Sequence, residues 1–542
     1  SSPSCQSNAA WNFELTAAMC THLLQHFLLS TTGFLTVLGD SGHVYEAALV
    51  ADAGSTATIV YAFHAINDTG GETRVRIHNL GKGPALTSFE DKPSEAAAAI
   101  RTQLDIASDM VPESLQASVE LLVLGTGEMR LMDPHKRTLI YQGLEKGIVD
   151  DGYPFDSNGV MARTLTGREE GVCAFLAANF LSERINADLE VLKADLMGVL
   201  DLGESSTQIA LPPKVGVGEN LIWNTDESHM HVQSYMEYGL EAMRQTTYKR
   251  LRKYKNHFVP NPCAFVGDKD PDDMWHGTGD AVACQTMVTE VLRWERQDCQ
   301  EHKEDCLPMQ PPKTAQDEDQ DPSRPEIWHT LQDLINAETP RFFLISGYFS
   351  VVDFAHWWLV ERPGARPISS GAAADADYDY WMLANASFAT PSIAELKAAA
   401  SILCAESLKN ITDAVRLSQH RLTPDDKVPY RCFELNFIIS LLSVGYGFAE
   451  SARPFHFVEK LDGSDVEWNL GAFLLGRAQT GDTNSTDNIP SETSEAVTSW
   501  FWTDCVVGCL ALAACGLLVR RWNMDESPGW FGTGDSEMEK MA

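Results

Sequence analysis

From about Val44 to Ala478, apolar runs of strand length alternate with stretches of helical period, the pattern of an α/β protein. Two of the strand-like runs break their own hydrophobicity in the same way. "LVADAGSTATIVYAF" (Leu49 to Phe63) and "GVLDLGESSTQIALP" (Gly198 to Pro212) each read strand, Asp-x-Gly, hydroxyl-rich turn, strand. One such turn is ordinary, because Gly, Asp and Ser suit turns for local reasons. Two copies about 150 residues apart, each flanked by strands, predict a pair of related hairpins, one from each of two lobes, facing each other across a cleft. In that arrangement turn N–H groups and hydroxyls grip phosphate, and Asp52 and Asp201 meet a divalent cation between them.

Two further segments lie between the hairpins. "LLVLGTGEMRLM" (Leu121 to Met132) predicts a buried strand ending in the turn Gly125-Thr126-Gly127-Glu128, with Arg130 just beyond. "TGREEGVCAFLAANFL" (Thr166 to Leu181) predicts a helix. Gly167 allows a tight approach, Glu169 and Glu170 open the helix, Ala174, Ala177 and Ala178 narrow one face, and Cys173 reads as a small buried thiol. Acids in a first turn also suit the helix dipole, so Glu170 reads either way at this point. Further on, Ser464 to Glu467 has the capping-box pattern ahead of an apolar helix. Trp468 reads as site-adjacent or core, and Trp358 as core.

The flanks differ from this body. Lys313 to Glu326, "KTAQDEDQDPSRPE", predicts an exposed loop, and the polar run after Asp482 a stalk. His22 to Gly39 is apolar enough for a signal-peptide core or a signal anchor. Near the other end, the apolar run Cys505 to Val519 is shorter than the ~20 residues that span a bilayer. With Trp500, Phe501 and Trp502 as an interfacial belt and Arg520 and Arg521 as a stop, residues 499–521 predict a transmembrane helix; a buried core helix is the alternative.

Composition narrows the chemistry. A formal net charge of -35 speaks against nucleic acid as a partner, which needs basic stripes, but leaves room for nucleotides held locally by N–H groups and a cation. Twelve cysteines without a C-x-x-C pair favour disulfides in an oxidising compartment over zinc. Four N-x-S/T sequons, at Asn67, Asn385, Asn410 and Asn484, agree with a lumenal or extracellular setting on a membrane.

Taken in order, "DAGST", "GTGEMRLM", "GREEGVCAFLAANFL", "DLGESSTQIA" and "FFLISGYFSVVDF" resemble the five ordered regions of the apyrases, the nucleoside triphosphate diphosphohydrolase family, over roughly residues 47 to 478. The twin hairpins also resemble actin, the sugar kinases and the seventy-kilodalton chaperones. The resemblance implies two ribonuclease H-like lobes around a central cleft. It implies nucleoside di- and triphosphates as partners, Ca²⁺ or Mg²⁺ as cofactor, and Glu170 as the base that activates water. Asp52 and Asp201 would hold the cation through water, and Ser55, Thr56, Gly203, Glu204, Ser205 and Ser206 would cradle phosphate. Thr126 and Gln208 would position water or metal ligands, and Tyr348 or Phe349 would stack on the base, with core packing as the plain alternative for each ring. It also implies two interleaved bridges among Cys263, Cys284, Cys299 and Cys306, and a third from Cys404 to Cys432.

The implied layout is an N-terminal apolar segment (1–43), lobe I (44–165, completed by 450–478), lobe II (166–449), a stalk (479–498), the membrane helix and a short tail (522–542). Glu128 and Glu204 stand where the family usually has glycine, and Ala57, Thr58 and Ile59 carry no charge where many members have histidine or arginine. These departures bear on the preference between tri- and diphosphate. They also keep a weakened nucleotide-binding ectodomain as an alternative; a kinase of the same fold is disfavoured by the glutamate motif and the lumenal signs.

Overall fold

The computed structural model describes residues 44–67, 73–155, 160–221, 230–251, 258–293, 340–362 and 390–481. Both apolar flanking segments, the loop 313–326, the stalk from residue 482 on, Asn385 and Asn484 lie outside the described residues, while 479–481, expected to begin the stalk, end the last helix.

In the first half, β1 (Val44–Ala53), β2 (Ala57–Asn67) and β3 (Thr73–Pro84) form an antiparallel meander. Helix α1 (Arg101–Met110) leads to β4 (Glu120–Gly125), which joins β1 in parallel; α2 (Gly127–Leu131) and α3 (Pro134–Asp151) lead to β5 (Val160–Thr164), parallel to β4. After α4 (Gly167–Leu181) the plan repeats. β6 (Gly198–Leu202), β7 (Ser206–Ala210) and β8 (Val232–Met236) form a second meander, followed by α5 (Leu240–Leu251), a small parallel pair of β9 (Val259–Asn261) and β10 (Trp275–Gly277), and α6 (Ala281–Arg293). Then β11 (Phe342–Ser346), preceding α7 (Gly347–His356), α8 (Ile393–Cys404) and α9 (Arg431–Ser440), pairs in parallel with β6, and β12 (Phe455–Phe457) in parallel with β11. Helix α10 (Trp468–Gly481) comes last.

The strand orders are β3-β2-β1-β4-β5 and β12-β11-β6-β7-β8. With matching directions throughout, the second sheet repeats the first, and the predicted echo of two hairpins is a repeat of whole sheets. The central strands are buried on both faces: Leu49, Val50 and Ala51 of β1 and every residue of β6 are shielded. That explains why they read as continuous apolar runs rather than alternating ones. Asp52 and Asp201 are each the penultimate residue of a central strand, so both acids emerge where the apolar layers end.

Three cores account for the layering. One packs the first sheet against α1 and α3 through Leu104, Ile140, Leu144 and Ile148. Another packs the second sheet against α5 to α9. The third is common to both sheets: Phe63 and Leu124 from the first and Val199 and Phe343 from the second meet Phe175 of α4 and Phe473 of α10. The two helices touch closely; a Cβ on Gly471 would lie 1.9 Å from the Cys173 carbonyl oxygen.

Three expectations change. The segment 450–478 does not simply complete the first lobe, because β12 joins the second sheet while α10 enters the shared core. The apolar helix starts at Trp468, later than a capping box at Ser464 requires; Ser464–Asp465 instead pairs with Lys460–Leu461. Cys263 bonds Cys284 and Cys404 bonds Cys432. The second pairing is as expected, but the first overturns the interleaved pattern, and Cys299 and Cys306 lie outside the described residues. Cys173 is a free, buried thiol, as expected.

Candidate active site

The two hairpin turns are closed alike. The Gly54 N–H donates to the Ala57 carbonyl at 3.1 Å, and the Gly203 N–H to the Ser206 carbonyl at 2.9 Å. In this register Ser55 corresponds to Glu204, Thr56 to Ser205 and Ala57 to Ser206. Thr56 and Gly203 are exposed, Ser55, Glu204 and Ser205 half-buried, and Ser206 buried. A third segment meets them: β4 pairs Gly125 with Ala53 of β1, which sets the buried Thr126 beside the first turn. Gly127 then faces the second turn, since a Cβ on it would lie 3.0 Å from Ser205 Cβ. The turns of the two sheets therefore come within contact of each other.

Glu170 sits in the first turn of α4. Its neighbour Glu169 is absorbed in a capping box with Thr166 and an ion pair to Arg163, whereas Glu170 points into the protein. Arg130 Nη2 donates to Glu170 Oε2 at 2.7 Å and to Ser206 Oγ at 3.0 Å. Gln208 Nε2 lies 3.0 Å from Glu170 Oε2, 3.0 Å from Ser206 Oγ and 3.1 Å from Ser234 Oγ. One carboxylate oxygen is thus anchored by two donors, from α2 and β7. Gln208, expected among groups that position water or metal ligands, spends its amide N–H groups on Glu170, Ser206 and Ser234.

The acids beside it are electrostatically loaded. Burial, then Glu170 and Asp201, push Asp52 up to about 8, against a hydrogen bond from the Trp468 indole. Asp52 Oδ1 is sealed from solvent and has no partner among the described residues. Burial and Glu170 push Asp201 up to about 6, opposed by hydrogen bonds from Ser346 and the Leu202 N–H. Glu467, just ahead of α10, is raised to about 8 by burial, Asp52 and Asp201. Ser346 holds its post in a left-handed backbone, φ 56°, a conformation that costs a non-glycine residue of order 1–3 kcal/mol and collects at functional sites. Among the described residues no three acids, histidines or cysteines stand in direct metal-ligand geometry. The donor set still suits a hydrated hard cation, with mutually repelling carboxylates and an orphaned Asp52 oxygen that such an ion would satisfy.

The aromatic candidates separate. Tyr348 is fully buried, its hydroxyl 3.3 Å from Thr207 Oγ1, and Thr207 Oγ1 donates to the Asp201 carbonyl at 2.6 Å. Tyr348 offers no face to a ligand, and its hydroxyl is turned toward Thr207 of β7. Phe349, the next residue, is only half-buried. Glu204 is held by Lys427, 2.8 Å away.

Sequence reasoning missed Arg130 as a site residue, along with Ser346, Lys427 and Glu467. Arg130 lay inside a quoted motif, four residues after Thr126, and a helical turn was the signal that would have aimed both at one site. Lys427 carries no local signal, because its partner is 223 residues away.

The profile of the GDA1/CD39 (nucleoside phosphatase) family matches residues 42–342 and 372–488. A guanosine-diphosphatase of Schizosaccharomyces pombe is 23% identical over 474 residues, 80% of this chain and 74% of that protein. Ectonucleoside triphosphate diphosphohydrolase 2 of Gallus gallus is 24% identical over 493 residues, 83% of this chain and 84% of that one. Among solved structures, one described as nucleoside triphosphate hydrolases from Neospora caninum superposes with a TM-score of 0.52 at 16% identity. The match covers 85% of this chain and 97% of that one, a likeness of fold.

Proposed function

The chain belongs to the GDA1/CD39 (nucleoside phosphatase) family, and from that premise we propose that it hydrolyses nucleoside tri- and diphosphates stepwise to the monophosphate and phosphate. The observation that carries the reading is the anchored Glu170 carboxylate. Oε2 is held by Arg130 and Gln208, which fixes the plane of the group. Oε1 is the atom we assign to take the proton from water attacking the terminal phosphorus. A base held this way needs no reorganisation at the moment of attack.

Ser55, Thr56, Ser205 and Ser206, with the amides of both turns, bind the phosphate oxygens, and Thr126 lines the same cradle. Asp52 and Asp201 would hold Ca²⁺ or Mg²⁺ through water, with Glu467 as a third carboxyl group beside them. The bound cation supplies charge neutralisation at the phosphate oxygens. Ser346 and Trp468 orient the two aspartates through their hydrogen bonds. Phe349 remains the aromatic surface for the base; Tyr348 does not. Each sheet with its helices corresponds to a ribonuclease H-like lobe, the arrangement resembled by actin, the sugar kinases and the chaperones.

The setting we propose is a membrane-attached protein with its catalytic part in the lumen or outside the cell. Two disulfides and the exposed sequon asparagines Asn67 and Asn410 support an oxidising, glycosylating compartment. Attachment rests on residues 499–521 as a membrane helix. Among the described residues no helix is long and apolar enough to cross a membrane.

The test is phosphate release from ATP, ADP, GDP and UDP with Ca²⁺, Mg²⁺ or EDTA, paired with calorimetric Ca²⁺ binding to wild type and to an Asp52→Asn/Asp201→Asn variant. The reading expects release that requires a divalent cation and Ca²⁺ affinity that falls with the paired substitution. Release undiminished by EDTA, or Ca²⁺ binding indifferent to both aspartates, would contradict it.

A further inference from the structure

The two phosphate turns share a frame but differ in charge. Where the first has Ser55, the second has Glu204, and a carboxylate close to a phosphate site has the wrong sign. The structure supplies the correction. Lys427 Nζ lies 2.8 Å from Glu204 Oε1, with the two side chains only 23% and 28% exposed. The other carboxylates near Lys427 are Glu241 and Glu434, and each has its own arginine. Arg244 pairs with Glu241 while lying over the Tyr430 ring at 3.8 Å, and Arg431 pairs with Glu434 at 2.7 Å. Lys427 is therefore left to Glu204.

The backbone of the turn does not depend on this pair. The Glu204 carbonyl accepts from the Glu241 and Ala242 N–H groups at 3.0 and 3.1 Å, and the Gly203 carbonyl from Leu240 N–H at 3.0 Å. The turn also lies flat on Gly239, where a Cβ would come within 2.3 Å of Glu204 C and Ser205 N. Shape comes from the start of α5, and Lys427 contributes charge. Across the gap Glu128 adds a second carboxylate, whose pKa is raised by burial and then by Glu204 and Glu241.

Resting on the reading of the turns as the phosphate cradle, we propose that Lys427 is a specificity-determining residue. By neutralising Glu204 it makes the second turn tolerant of the extra negative charge of a nucleoside triphosphate over a diphosphate. Without it, Glu204 and Glu128 face the phosphates uncompensated, and the ligand with more charge loses more.

The experiment reads equilibrium binding of ATP and ADP to the full chain carrying Glu170→Gln, so that turnover does not enter. Adding Lys427→Met should weaken ATP about tenfold and ADP about threefold, the scale of one partly shielded charge–charge interaction, and the gap should narrow at high salt. Lys427→Arg should keep the wild-type ratio. Adding Glu204→Gln to Lys427→Met should restore both affinities, and melting temperatures establish that each variant is folded. Equal weakening of ATP and ADP, or no recovery in the double variant, overturns the proposal. Normal charge-dependent binding in a wild-type protein that releases no phosphate would refute the hydrolase reading and leave this one standing.

Discussion

Glu170 has one oxygen committed to Arg130 and Gln208 and one with no hydrogen bond among the described residues, and its surroundings say how much each partner matters. Arg130 is 13% exposed and Glu170 10% at their side chains, so Arg130→Met leaves a shielded carboxylate without its cation. Breaking a buried pair in this way typically costs roughly 3–5 kcal/mol. Chemical denaturation should report a loss of that order, and kcat should fall by about 10- to 100-fold, with KM changing less because Arg130 acts through Glu170. A second residue gives a pH signature. Burial, then His78 and Arg76, push His64 down to about 4 from an ordinary 6.5. The unfolded chain takes up its proton first as pH falls, so stability is untouched above about 6.5 and declines from there to about 4, by roughly 3 kcal/mol. Melting temperature against pH should fall less steeply over that window in His64→Phe; parallel curves would contradict the assignment. At this scale Asp52 and Asp201 stood out because a carboxylate interrupting an apolar run needs a reason, whereas Glu170, an acid in a helix's first turn, was singled out only through the resemblance of the ordered motifs. Tyr348 and Phe349 were not separable, since neighbouring helical residues point about 100° apart and only packing reveals which one is buried.

The elements depend on close approaches that small residues permit. Helices α4 and α10 meet in the core common to both sheets, and any side chain on Gly471 collides with the backbone of Cys173. Gly471→Ala should therefore destabilise by about 1–3 kcal/mol through overpacking, seen as a lower melting temperature. An unchanged melting temperature would show that the helices separate easily. Disulfide Cys404–Cys432 ties α8 to α9 over a sequence separation of 28, a closure worth about 2–4 kcal/mol. Paired Cys404→Ser/Cys432→Ser substitution should lower thermal stability while leaving the distant Glu170 hydrogen bonds intact. The hairpins and α4 were readable from sequence, since their periodicities and turn residues are local. The destination of β12 was not. A three-residue strand carries almost no pattern, and its partner β11 lies over a hundred residues earlier.

At the scale of the molecule, a repeated sheet topology brings Asp52 and Asp201 to equivalent strand ends, and the shared core sets Glu170 against both. Neither sheet holds the site alone: Arg130 comes from α2, just after β4 of the first, and Gln208 from β7 of the second, and they meet on one carboxylate oxygen. The repeat itself was visible as an echo of fifteen residues. Its extension to whole lobes came only from the resemblance to known families, because topology, unlike sequence, survives the loss of side-chain similarity. The central claim is that Glu170 activates the attacking water, and single-turnover phosphate release from ATP by wild type and Glu170→Gln, at saturating Ca²⁺ or Mg²⁺ and nucleotide, tests it most directly. The account predicts that the variant binds nucleotide with near wild-type affinity but releases phosphate about 10²- to 10⁴-fold more slowly. Release by Glu170→Gln at the wild-type rate would contradict it.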